Sequence, residues 1–149
     1  MDRDQISTGV SMTSEELDKL RQELIRDEGL RLLPYTDTVG KLTIGVGRNL
    51  TDKGISNEEA RLLLDSDIKE HLKLLDDNLE WWRIMSENRQ RVLANLAFNM
   101  GNKLFTFTNT LRAMKEGRIS DAAEGLRNSL WAKQVGLRAV RLIKMYEEG

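Results

Sequence analysis

Ser56-Asn57-Glu58-Glu59 opens a run in which Leu64, Ile68, Leu72, Leu75 and Leu79 recur at helical spacing with Asp and Lys between them. The opening is a capping box, in which the serine hydroxyl and the glutamate carboxylate satisfy each other's free backbone amides. The spacing predicts one amphipathic helix over residues 57–79, which at about 1.5 Å per residue is long enough to cross a small domain. It also sits where the charge of the sequence changes sign. Residues 1–79 carry 11 Lys/Arg against 17 Asp/Glu, and residues 80–149 carry 12 against 7. The reading is a long helix joining two lobes, the second of them basic.

The flanking segments differ in kind. Thr13-Ser14-Glu15-Glu16 is another capping box, followed by an apolar face of Leu17, Leu20, Leu24 and Ile25 and ended by Gly29. Over residues 30–50, Leu42, Ile44 and Val46 alternate with Thr43, Gly45 and Gly47. That period of two predicts a strand, with Val39-Gly40 as the turn before it. Pro34 lies where a helix cannot continue. Beyond residue 80 the chain reads as helical. Val92, Leu93, Leu96 and Met100 form a stripe ended by Gly101, and Leu111 and Met114 a short segment ended by Gly117. Ser120 is placed as the cap of a helix holding Ala122, Ala123 and Leu126. Leu137, Val140, Ile143 and Met145 mark the last helix. The fold class is α+β, mostly helical. The expected organisation is a single catalytic domain over 1–149: a polar arm 1–12, an N-terminal lobe 13–56, a connecting helix 57–80 and a helical lobe 81–149.

With 40% hydrophobic and 32% charged residues the sequence suits a folded globular domain rather than a disordered chain. There is no cysteine, so disulfides, thiolate nucleophiles and thiolate metal sites are excluded. The one histidine, His71, rules out a multi-histidine metal site, and no metal or cofactor is expected. No nucleotide-binding fingerprint occurs. The N-terminus lacks a basic start followed by an apolar core, and no apolar run approaches the length of a membrane span. The expectation is a protein made in the cytoplasm, with no membrane insertion.

Two acids stand out in residues 26–48, RDEGLRLLPYTDTVGKLTIGVGR. Glu28 lies at the end of a helix, and Asp37 follows nine residues later inside the β unit. Paired carboxylates across a cleft can hydrolyse a glycosidic bond, one protonating the leaving oxygen and the other activating water or attacking carbon. With 24 acids in the chain, such a pair is also easily ordinary surface charge. Thr43 could hold a water beside Asp37 or simply be a β-branched strand residue. Gly45 and Gly47 could admit a bulky polymer or mark a bend.

The same run resembles the signature of phage-type lysozymes, glycoside hydrolase family 24. The likeness continues in AFNMGNKLFTFTNTLRAMKEG, DAAEGLRNSLW and LRAVRLI, and covers roughly residues 20–146. It implies a small β-containing N-terminal lobe and a helical C-terminal lobe with a cleft between them. It also implies hydrolysis of the β-1,4 bond between N-acetylmuramic acid and N-acetylglucosamine in peptidoglycan. Glu28 then matches the acid, Asp37 the second carboxylate, and Thr43 a threonine that places water. Gly47, Asn49, Phe98, Asn99, Asn109 and Thr110 match substrate-contacting positions, Trp131 a buried tryptophan, and Arg138 an arginine paired with the catalytic glutamate. The implied partner is the peptidoglycan strand, met by a monomer after holin-type release from the host cytoplasm. Arg48 departs from the family, which usually has histidine there, and Asn49 replaces an apolar residue.

Two other readings remain open on the residues. A lytic transglycosylase on the same polymer needs only one glutamate, so Asp37 and Thr43 count against it. A non-enzymatic polyanion-binding module would use Arg127, Lys133, Arg138, Arg141 and Lys144. The near-neutral overall charge of -1 weakens it, and no nucleic-acid partner is expected.

Overall fold

The computed structural model describes residues 12–149. The polar arm expected over residues 1–12 therefore lies, but for Met12, outside the described residues. The chain divides into two compact units, Met1–Ala60 and Arg61–Gly149. The division falls inside the long helix rather than at either of its ends.

The first unit begins with α1 (Ser14–Glu28), where the Thr13 hydroxyl accepts the Glu16 amide at 3.1 Å. Its C-terminus is closed by Gly29, whose N–H donates to Ile25 O at 2.8 Å. Three antiparallel strands follow, β1 (Arg31–Thr36), β2 (Leu42–Gly45) and β3 (Arg48–Asn49), in the order β1-β2-β3. The alternation at residues 42–46 predicts β2 but not β1, and Val46 falls in the turn after the strand. β1 reads poorly because Pro34 interrupts it. The proline is accommodated because β1 is an edge strand whose register with β2 shifts between Arg31 and Tyr35. The Val39-Gly40 turn is where expected, and Gly40 has a φ of 85°, a conformation that glycine alone adopts readily.

The long helix, α2, runs Asn57–Asn78. Its capping box is reciprocal: Glu59 N–H donates to Ser56 Oγ at 3.1 Å and Ser56 N–H to Glu59 Oε1 at 2.8 Å. The second unit continues with α3 (Glu87–Met100), α4 (Thr108–Lys115), α5 (Ile119–Arg127), α6 (Leu130–Val135) and α7 (Leu137–Glu148). Ser120 does not cap α5. The helix starts two residues earlier than that cap implies, Arg118 occupies the cap position and no side chain closes it. The second unit holds the described buried hydrophobic core, including Val92, Leu93 and Leu96 of α3, Leu126 of α5, and Leu142, Ile143 and Tyr146 of α7. Each fully buried aliphatic side chain contributes roughly 1.5–3 kcal/mol. No helix of the described residues is long and apolar enough to cross a membrane.

Candidate active site

In the first unit, the candidate residues sit where α1 meets the sheet. Glu28 is the last residue of α1, held there by the helix backbone, and its side chain is exposed. Its carboxylate lies against the backbone of Gly47: a Cβ placed on Gly47 would be 3.0 Å from Glu28 Oε2 and 3.5 Å from Cδ. Gly47 has a φ of 68° in the turn between β2 and β3. The left-handed backbone favours glycine at this position, and a Cβ there would crowd the carboxylate. Within its own unit, the described residues offer the Glu28 carboxylate no hydrogen-bond donor.

Asp37 opens the turn joining β1 to β2 and is half-buried. One carboxylate oxygen, Oδ1, accepts Val39 N–H at 2.9 Å and Lys41 N–H at 2.8 Å. The backbone closes the same turn, Asp37 N–H donating to Lys41 O at 2.8 Å and Gly40 N–H to Asp37 O at 3.1 Å. Oδ2 accepts no hydrogen bond among the described residues. The side chain therefore folds the turn with one oxygen and keeps the other open. Thr43, on β2, is buried, and its hydroxyl donates to Lys41 O at 3.0 Å. Its lone pairs remain available to accept.

Asn49 behaves otherwise. Its Nδ2 donates to Asp52 Oδ2 at 3.0 Å while its Oδ1 accepts Asp52 N–H at 3.0 Å. Both ends of the amide are committed to the turn after β3. Its neighbour Arg48 is bound by Glu59, with Nη2 to Oε2 at 2.7 Å and Nη1 to Oε1 at 2.8 Å. Arg48 Nη1 also donates to Gly54 O at 3.3 Å. Glu59 is held down at about 2 from 4.5, first by its hydrogen bond from Arg48 and then by the Ser56 backbone and hydroxyl.

The remaining candidates lie in the second unit, in two different grooves. Asn99, Asn109 and Thr110 line one of about 680 Å³, together with Trp131. Trp131 is buried and its indole N–H donates to Asn99 Oδ1 at 2.7 Å, which fixes the asparagine. Phe98 faces another groove, of about 580 Å³, where its ring lies 5.2 Å from that of His71. Arg138 lines that second groove too, and its Nε and Nη2 reach Asn95 Oδ1 at 3.1 and 2.6 Å. Asn95, as partner to Arg138, went unread in the sequence, and no motif marks it. Gly125 also went unread. A Cβ there would lie 2.2 Å from Thr110 Oγ1, so α4 and α5 meet at a point with no room for a side chain. A glycine inside an otherwise amphipathic helix was the available signal. Among the described residues no cluster of three or more His, Cys, Asp or Glu could hold a metal.

A model described as phage lysozyme matches residues 25–144, a span that takes in Glu28, Asp37, Thr43 and both grooves. The chain belongs to the phage lysozyme family. Its relatives in that family are spread widely. A probable T4-type lysozyme 2 from Dictyostelium discoideum is 29% identical, the alignment covering 87% of this chain and 94% of that protein. The pre-baseplate central spike protein Gp5 of Enterobacteria phage T4 is 32% identical over 83% of this chain but only 26% of its own length. A SAR-endolysin of Escherichia phage Mu is 30% identical, covering 84% of this chain and 75% of that protein. Phage lysozyme membership and the mostly helical α+β architecture agree with the resemblance read from the sequence. The coarse activity is that of a lysozyme-type, peptidoglycan-lysing hydrolase.

Proposed function

We propose that this phage lysozyme hydrolyses the β-1,4 bond between N-acetylmuramic acid and N-acetylglucosamine. Glu28 is the general acid that protonates the leaving oxygen, and Asp37 and Thr43 hold the attacking water. The observation that carries the reading is the division of labour at Asp37. Oδ1 is locked by two backbone amides, so the carboxylate is rigid, while Oδ2 is left to accept from water. Thr43, buried with its proton donated to Lys41 O, presents lone pairs rather than a donor and is suited to orient a water proton. Glu28 stands on the backbone of Gly47, which limits where its oxygens can go. In this reading Asn99, Asn109 and Thr110 bind glycan or its peptide from the groove braced by Trp131, and Phe98 contacts it from the groove it shares with the supporting Arg138. The protein acts as a monomer on glycan strands after a holin-type lesion releases it from the host cytoplasm.

Glu28→Gln removes the transferable proton at nearly constant shape. Clearing of purified peptidoglycan should fall by a factor on the order of 10²–10⁴ while thermal unfolding is unchanged. Wild-type clearing by the variant would remove Glu28 from the mechanism. Mass analysis of the released sugars separates hydrolysis from transglycosylation: reducing ends are expected, and anhydro ends would overturn the hydrolase reading.

A further inference from the structure

We propose that Arg48 is a positioning residue for Glu28, acting through Gly47 and anchored by Glu59. The inference rests on the assignment of Glu28 as the acid. The strand that carries Arg48, β3, has two residues and pairs with β2 only through Thr43↔Asn49 and Ile44↔Arg48. A ladder so short does little to fix the turn at its end. That turn holds Gly47, the backbone surface against which the Glu28 carboxylate rests. Arg48 is the next residue, and its guanidinium is the largest polar anchor on the strand. It engages both oxygens of Glu59 at 2.7 and 2.8 Å and reaches Gly54 O at 3.3 Å.

Glu59 is itself immobilised. Its Oε1 accepts Ser56 N–H at 2.8 Å, and its backbone N–H donates to Ser56 Oγ. A continuous link therefore runs from the first turn of α2 through Glu59 and Arg48 to Gly47, and ends on the carboxylate of Glu28. A two-pronged guanidinium–carboxylate contact fixes direction as well as distance, which a single lysine ammonium does not. Loosening it frees Gly47 to move, and Glu28 loses the backbone surface on which its carboxylate rests. Misplacing a reacting group by about 1 Å can cost on the order of 10²-fold in rate.

The experiment compares wild type with Arg48→Met, Arg48→Lys, Glu59→Gln and Glu28→Gln on a soluble peptidoglycan fragment, below the melting temperature of every variant. For Arg48→Met, kcat should drop on the order of 10–100-fold with KM within about twofold. Arg48→Lys should recover part of the loss, because it restores the charge but not the fork. Should Arg48→Met fail to fold, Glu59→Gln keeps the oxygen that accepts from Ser56 and reads the same step. It should lower kcat by a smaller factor, again with KM held. A folded Arg48→Met with wild-type kcat beside an inactive Glu28→Gln overturns the inference and leaves the acid assignment standing. So does a fall in kcat that tracks a fall in melting temperature across the series. An active Glu28→Gln overturns the assignment of the acid, and the inference with it.

Discussion

At the scale of single residues, the second unit turns on a contact that is easily misjudged. Gly125 lies inside α5, where alanine would ordinarily stabilise a helix by about 1 kcal/mol. Here a Cβ would meet Thr110 Oγ1 at 2.2 Å, and Thr110 is buried. Gly125→Ala should therefore destabilise the protein, by about 1–3 kcal/mol in chemical denaturation. Adding Thr110→Ala should return much of that loss. A stabilised Gly125→Ala would show that the two helices part without penalty. Residue-level legibility was uneven for related reasons. Glu28, Asp37 and Thr43 are singled out as candidates only because their ordered motif resembles the family signature. Arg48–Glu59 and Arg138–Asn95 pair groups 11 and 43 positions apart, with no periodicity to announce them. Asn49, which the resemblance suggests as a substrate contact, commits both ends of its amide to its own turn.

At the scale of elements, capping boxes were the most legible features, since the hydroxyl and carboxylate lie three positions apart and act locally. The box at Ser56 has a further charge, because the same Glu59 that closes it binds Arg48. Its carboxyl is pulled from 4.5 to about 2. A carboxyl whose folded value is depressed stabilises fully above its unfolded value, and that contribution drains as pH falls through the folded one. The difference in melting temperature between wild type and Glu59→Gln should thus be constant above about pH 4.5 and shrink between about 4.5 and about 2. Both side chains are more than a quarter exposed, so added salt should shrink it as well. A gap independent of pH would mean that the ion pair adds nothing to the cap. The start of α5 was misread at this same scale. Serine is a good cap in isolation, yet the helix begins at Ile119 with Arg118 N–H donating to Ala113 O at 2.9 Å, and the preceding turn sets the boundary.

At the scale of the whole molecule, burial is unequal. The buried hydrophobic residues among those described all lie at Leu75 or beyond, and Thr43 is the one buried residue described in the first unit. The first unit exposes Leu24, Ile25, Leu32, Leu33 and Val39. Local opening should accordingly be easier there. In native-state hydrogen exchange, amides of Val92–Ala97 and Leu142–Tyr146 should be the slowest, and those of β1–β3 faster. Equal protection across the two units would show that they open as one. The sequence suggests two lobes because charge and periodicity differ along it, and both are summed over many residues. It did not convey where the division falls, since α2 carries one uninterrupted pattern through residue 60.

The two oxygens of Asp37 have a consequence for how loss of function there is interpreted. One supports the turn and the other accepts no hydrogen bond among the described residues, so under the proposed function a single side chain has two tasks. A replacement with no acceptor oxygen, such as alanine, confounds the two. Asparagine preserves an oxygen for Val39 and Lys41 while discarding the negative charge. The pair of replacements, read together, separates support of the turn from the proposed role in holding water.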